Sequence, residues 1–302
     1  MVGDTPDGPT EALVRDEGAR LFGLAYRMLG SAAEAEDAVQ EAYVRWARTD
    51  QATVAQPPAW LTTTLTRICV DRLRSAQHRR EAYVGQWLPE PIATDADPAD
   101  VAGIADSLTF AFLVMLESLS PLERAAFLLH DVFGHDFAEV ARMLERSPAA
   151  VRQLASRART HVAQRTTRQR ADREQARVVT DAFLAACAGD DLDAIMGLLA
   201  PDVVFVGDGG GLAYATPAPV RGQERVARLV RGLWRVGMRD GLSVDLVEVN
   251  TEPGLWVRAG TTTASVLVVE VADGLICAIR GVRNPEKLVG FGDRVRSARK
   301  PS

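Results

Sequence analysis

Ser120-Pro121-Leu122-Glu123-Arg124 begins a stretch that closes with Val151-Arg152-Gln153-Leu154-Ala155-Ser156-Arg157-Ala158-Arg159. Ser120 and Glu123 stand at capping-box spacing, and Pro121 takes the first helical position, where a missing N–H is no loss. The helix is predicted to run on to Phe133-Gly134. Asp136-Phe137-Ala138-Glu139 repeats the capping signature and opens a short helix with Phe137, Val140, Ala141 and Leu144 facing inward. After Glu145-Arg146-Ser147, Pro148 starts a third helix whose apolar face is Val151, Leu154, Ala155, Ala158 and Val162. Two short amphipathic helices joined by about three residues fit a helix-turn-helix. Ser147 and the outward row Arg152, Gln153, Ser156, Arg157 and Arg159 suit DNA: arginine and glutamine reach base edges, serine and arginine hold phosphate oxygens. An ordinary helical hairpin with an arginine-rich exterior has the same pattern, so this stretch alone leaves both readings open.

Working toward the N-terminus, residues 10–80 are helical by periodicity. Gly30 ends one helix, and Ser31 to Glu34 is a capping box for the next. Ala35, Ala38, Val39, Ala42 and Trp46 share its inward face, while Asp37, Gln40 and Glu41 share the opposite one. A third helix follows Pro58, with Leu61, Leu65, Ile68 and Cys69 as its apolar stripe. Its basic residues, with those that follow, are Arg67, Arg72, Arg74, Arg79 and Arg80. Residues 81–106 carry acids, Pro89, Pro91 and Pro98, and no lysine or arginine, so they are expected to be a solvated linker ahead of a helical domain at 107–165. The net charge of −5 speaks against nucleic acid, but its distribution does not: Arg142 to Arg170 holds eight arginines against Glu145 alone. A basic–acidic–basic order fits two contact surfaces separated by a spacer.

From about residue 175 the pattern changes. Helical spacing over Arg177–Ala188, Leu192–Leu199 and Val226–Leu233 alternates with strand-like runs at Val203–Val206, Ser243–Asn250, Leu255–Ala259, Thr261–Val271 and Leu275–Val282. Asp273-Gly274 is a hairpin turn. Helices followed by an antiparallel meander predict an α+β domain at 175–292, a curved sheet wrapped around a helix with a cavity between them. All four histidines (His78, His130, His135, His161) precede it, which removes the commonest general base. Asp181, Asp202 and Asp208 are its candidate carboxylates, and turn or strand-start roles are favoured for Asp202 and Asp208. The run Gly209-Gly210-Gly211 lacks a phosphate loop's spacing and ending; it permits close approach of another backbone.

Three scattered cysteines, Cys69, Cys187 and Cys277, have no metal-ligand spacing and read as reduced thiols. No metal or cofactor is expected. Neither a leader peptide nor a bilayer-long apolar run is expected, so a cytoplasmic protein without a membrane partner is predicted.

Taken together, the first 165 or so residues resemble sigma factors of the extracytoplasmic-function (ECF) type. The run Ala35 to Ala42 resembles the sigma region 2 helix that docks on RNA polymerase, which assigns Asp37, Gln40 and Glu41 to the polymerase. Trp60-Leu61 through Cys69-Val70-Asp71-Arg72-Leu73-Arg74 resembles the promoter-melting helix, which puts Arg67, Arg72, Arg74, Arg79 and Arg80 near DNA. Leu119 through Arg159 resembles region 4, the helix-turn-helix that reads the −35 element. Many members have Arg-Asn where this chain has Thr66-Arg67, so −10 specificity does not carry over. Burial is the favoured reading of Trp60.

A narrower resemblance, to ECF factors with a SnoaL-like (ketosteroid-isomerase-like) C-terminal extension, covers nearly the whole chain. It rests on Trp87-Leu88-Pro89, Asp208-Gly209-Gly210-Gly211-Leu212 and Asn284-Pro285-Glu286-Lys287-Leu288. Leu212 stands where that pattern has lysine. The resemblance implies core RNA polymerase and promoter DNA as partners, with no anti-sigma factor evident. A small-molecule ligand in the C-terminal domain stays open. The expected architecture is two all-α domains followed by an α+β domain that is regulatory rather than catalytic, with Trp87, Leu88 and Pro89 touching Asp208 to Gly211 and Asn284, Pro285 and Lys287. Two other classes compete: a helix-turn-helix repressor with a sensing pocket, and an enzyme fused to a DNA-binding module.

Overall fold

The computed structural model describes residues 9–81, 83–94, 109–165 and 171–298. The chain folds as two compact units. One joins the chain up to Arg79 with Met115–Arg165; the other joins Arg80–Val114 with the chain after Arg165.

The first unit is helical. Helix α1 (Pro9–Leu29) packs on α2 (Ala32–Ala47). Between them Gly30 takes φ 72°, a conformation that glycine reaches without strain, and Ser31 accepts from the Glu34 N–H at 3.2 Å. Ala35, Ala38, Val39, Ala42 and Trp46 are all buried, the face expected from spacing. Helix α3 (Pro57–Glu81) buries Leu61, Leu65, Ile68, Cys69 and Leu73. Its buried Thr62 and Thr66 satisfy their hydroxyls on carbonyls one turn back, at 2.8 and 2.7 Å.

After α4 (Phe110–Leu116), the helix-turn-helix follows as α5 (Pro121–Phe127), α6 (Phe137–Leu144) and α7 (Pro148–Arg165). Both expected capping boxes form, Ser120 with Glu123 and Asp136 with Glu139. The first helix does not stay α-helical to Gly134: it widens into a single π turn at Leu128–Val132 before Gly134 turns the chain at φ 75°. Glu145 closes α6 in the left-handed region, at φ 54°. Val151, Ala155 and Ala158 of α7 are fully buried.

The second unit is α+β. Helices α8 (Arg173–Ala188) and α9 (Leu192–Leu198) lead into strand β1 (Leu199–Asp208), then β2 (Val220–Arg221) and helix α10 (Gln223–Arg239). The meander β3 (Ser243–Val249), β4 (Glu252–Ala259), β5 (Thr262–Ala272) and β6 (Leu275–Val282) precedes a terminal helix α11 (Phe291–Ala298). The sheet order is β2-β1-β6-β5-β4-β3, antiparallel except for β1 beside β6. Asp273 and Gly274 take φ 52° and 76°, the paired positive values a two-residue hairpin demands.

Two apolar layers cover this sheet. Phe183, Ile195, Phe205, Val226, Val269 and Ile279 pack between it and α8, α9 and α10. The other layer contains Val249, Trp256, Val268 and Phe291, but also Leu88 and Ala93 from the segment expected to be a solvated spacer, and Phe110 from the start of the expected helical domain. That expectation is corrected for the described residues 83–94. Leu88 at 1 % and Ala93 at 8 % exposure make the segment part of the domain core, because removing apolar surface from water outweighs the solvation of its few polar groups. Residues 95–108 lie outside the described residues.

Candidate functional site

The exposed face of α7 carries Arg152, Gln153, Ser156, Arg157 and Arg159. Exposed Ser147 caps it, accepting from the Ala150 N–H at 3.2 Å. Two of the arginines are held from within the helical unit. Arg159 Nε donates to Asp131 Oδ1 at 2.7 Å, and the Arg152 guanidinium lies 5.9 Å from the Phe137 ring centre. Their heads remain accessible, so the row can meet an anionic backbone.

The basic residues of α3 are placed differently. Arg67 Nε donates to Met143 O at 3.1 Å, its Nη2 donates to Arg142 O at 3.4 Å, and it pairs with Glu145 at 3.1 Å. These acceptors form the C-terminal end of α6, where unsatisfied carbonyls concentrate negative potential. Arg72 donates to Glu34 O at 2.9 Å and to Glu41 at 3.0 Å, tying α3 to α2. Arg74 lies 3.5 Å from Asp71. The side chains of Arg79 and Arg80 lie outside the described residues. On α2, Asp37 and Gln40 are exposed. Desolvation alone would raise the Glu41 carboxyl, but hydrogen bonds from Arg72 and Arg45 outweigh it and hold Glu41 below its ordinary value. Trp60 is half-buried against Trp46, ring centres 5.4 Å apart.

In the second unit, fully buried Asp208 is the centre of a polar cluster. Its Oδ1 accepts from the Tyr83 hydroxyl at 2.6 Å and the Gly210 N–H at 3.1 Å; its Oδ2 accepts from the Leu88 N–H at 2.9 Å and Lys287 Nζ at 2.7 Å. Lys287 also donates to Leu88 O at 2.6 Å and stands 3.2 Å from the Trp87 ring centre. Both charges are thus paired and saturated, the condition for tolerating a buried ion pair. Tyr83 packs edge-on against Trp87 at 4.9 Å and accepts from Asn284 Nδ2 at 2.9 Å. Burial, and then the Asp208 carboxylate, push its phenol well above the ordinary range. An Asp208 engaged by four donors has no oxygen left to take a substrate proton. Asp181 and Asp202 are exposed rather than buried.

The glycines are needed by this packing. A Cβ at Gly209 would lie 2.0 Å from Ala213 O, and one at Gly210 would lie 2.3 Å from Asn284 Nδ2. With Leu212 in place of lysine, and 60 % exposed, the ammonium facing Asp208 is that of Lys287. Pro89 is buried, and Pro285 opens a one-turn 3-10 helix that carries Lys287.

Farther along, the same segment extends the sheet. Ala93 bridges Val249 antiparallel; Thr94 N–H donates to Glu248 O at 3.0 Å and Asn250 N–H to Ile92 O at 2.9 Å. Asn250 Oδ1 accepts from the Ile92 N–H at 3.0 Å, and Glu252 accepts from the Phe110 N–H at 2.9 Å. This covers the otherwise open edge of β3. Tyr83, Ile92, Thr94, Asn250, Glu252 and Phe110 are contributors that sequence reasoning missed. The available signal was the tyrosine and apolar anchors inside an acidic run.

Comparison with known proteins agrees with this architecture. Residues 13–79 match sigma-70 region 2 and residues 109–162 match sigma-70 region 4. The ECF RNA polymerase sigma factor SigJ of Mycobacterium tuberculosis (strain ATCC 25618 / H37Rv) is 42% identical over 290 residues, covering 92% of this chain and 93% of that protein. A probable ECF RNA polymerase sigma factor of the same strain, SigI, is 31% identical over 283 residues, 93% of this chain and 95% of its own. The crystal structure of the M. tuberculosis SigJ protein superposes with a TM-score of 0.75 at 38% identity, covering 92% of this chain and 98% of that one.

Proposed function

The chain belongs to the ECF RNA polymerase sigma factors, and from that membership we propose how its parts divide the work of transcription initiation. The exposed Asp37 and Gln40, with Glu41, meet core RNA polymerase. The α7 row Arg152, Gln153, Ser156, Arg157 and Arg159, with Ser147, reads upstream promoter DNA. Arg67, Arg74, Arg79 and Arg80 serve the −10 strand. Arg72, already committed to Glu34 and Glu41, contributes by holding α2 against α3.

The C-terminal domain acts in cis rather than as an enzyme. One observation carries this reading: the segment that links the two sigma regions is locked to the sheet through Asp208 and Lys287. Every residue so immobilised shortens the free tether between region 2 and region 4. The domain thereby sets which promoter spacings the two regions can span. No described helix is long and apolar enough to cross a membrane, and the protein is proposed to work where RNA polymerase does, in the cytoplasm.

Run-off transcription with purified core polymerase tests the assignment. Promoter-dependent transcript is expected only when this protein is added, and Trp87→Ala should change its yield while both units stay folded. No transcript with wild-type protein would overturn the initiation role; unchanged output from Trp87→Ala would overturn the regulatory one.

A further inference from the structure

Helix α10 buries Val226, Ala227, Val230 and Gly237. At about 100° per residue, the pole opposite that buried face is occupied by Arg225, Arg228, Gly232, Arg235 and Arg239. All five are exposed. Within α10, Glu224 is the sole acid against five arginines, the fifth being the half-buried Arg231. Neighbouring α8 mixes its charges, with Arg173 and Arg177 beside Glu174 and Asp181. A single-sign row therefore stands out on a chain whose net charge is −5.

Gly232 adds an independent observation. A Cβ built there would meet nothing within 4 Å, and its φ is not positive, so neither packing nor backbone conformation asks for glycine. Glycine in a helix interior is unfavourable by about 1 kcal/mol relative to alanine. What it does supply is a gap midway along the arginine row, where another molecule's backbone can come close to the helix.

We propose that this face of α10 is a third DNA-contacting surface, which holds the phosphate backbone of promoter DNA without reading bases. Arg225 to Arg239 spans roughly 21 Å at 1.5 Å per residue, the reach of several consecutive phosphates. The guanidinium fork suits phosphate oxygens, and no amide or other base-reading side chain interrupts the row. Existing ion pairs do not block it. Arg228 pairs with Glu224 at 2.5 Å and Arg239 lies 3.6 Å from Asp240, while Arg235 shares Asp190 with Arg231. The single-contact pairs of Arg228 and Arg239 exchange partners at little cost, and Arg235, though forked on Asp190, keeps 57% of its side chain exposed. The proposal rests on the sigma-factor reading, which supplies the DNA.

The test uses holoenzyme assembled from core polymerase and the full chain, bound to a promoter fragment with upstream duplex across a salt series. Arg225→Gln, Arg228→Gln, Arg235→Gln and Arg239→Gln are combined in one variant, and the four Arg→Lys changes in another. The glutamine variant should bind at least about 10-fold more weakly at low salt, with its log–log salt slope shallower by about 3 and its promoter ranking unchanged. The lysine variant should keep most of the slope and certifies that the surface tolerates substitution. A glutamine variant with the wild-type slope overturns the proposal. So does one that fails to capture core polymerase without DNA, which would make the occupant an acidic protein surface. Should wild-type holoenzyme itself give no promoter-dependent initiation, the sigma reading falls and takes this surface with it.

Discussion

Arg67 and Lys287 each place a cation on backbone carbonyls distant in sequence, but in opposite surroundings. Arg67 is 46% exposed and its partner Glu145 is 70% exposed, at the end of α6. Lys287 is 9% exposed and its partner Asp208 is fully buried, with an indole against the ammonium. Water competes for every bond Arg67 makes, so that contact can form and break without reorganising either helix. At Lys287 water is excluded, and the ion pair persists because losing either partner strands a charge. The helical unit therefore holds Arg67 with an exchangeable contact, while the C-terminal unit holds the linker with a persistent one.

The largest expected effect breaks the persistent side. Lys287→Met should destabilise the C-terminal unit by about 3–5 kcal/mol, since it leaves the Asp208 carboxylate buried and unpaired. Adding Asp208→Asn should recover part of that loss, and chemical denaturation of both variants checks it. A loss below about 1 kcal/mol for Lys287→Met would show that the cluster is wetter than its geometry implies.

Gly210→Ala comes next. Its φ of 60° and the 2.3 Å approach to Asn284 predict a loss of about 2–3 kcal/mol by the same assay. Proteolysis within residues 83–94 should accelerate with it, because the loop then presses on Asn284 and Tyr83, the groups that hold the linker.

The exchangeable side should respond much less. Arg67→Ala should cost about 1 kcal/mol or less in denaturation of the helical unit. A larger loss would move Arg67 into the persistent class and erase the contrast.

The smallest effect is at Glu41. Its carboxyl is held below the ordinary value of 4.5, so the stability it lends is present above that pH and disappears as pH falls through the lower folded value. Glu41→Gln should therefore lower the denaturation midpoint slightly at neutral pH, more at low salt than at high, and not at all once the carboxyl is protonated.

How much of this was readable beforehand follows from the range of each interaction. Caps at Ser120, Asp136 and Ser31 act within one helical turn, so the helix-turn-helix and region 2 helices were legible residue by residue. The meander was legible for the same reason, from two-residue alternation and Asp273-Gly274. The linker was legible only in part: the resemblance put Trp87, Leu88 and Pro89 against Asp208 to Gly211, but nothing local showed that Ala93, whose partner lies more than a hundred residues away, joins the sheet edge. Arginine posed a different difficulty. Its fork fits a phosphate and the end of a helix equally well, so Arg67 and Arg72 read as DNA contacts while the fold also offers them α6 carbonyls and Glu41.

The contrast reduces to whether the Asp208–Lys287 clamp limits the reach between the sigma regions. Run-off transcription from promoters whose −35 to −10 spacing is varied one base pair at a time measures that reach. Wild-type protein should show one narrow optimum, and Gly210→Ala a broader one at undiminished peak yield. Identical profiles for the two proteins would contradict control in cis by the C-terminal domain.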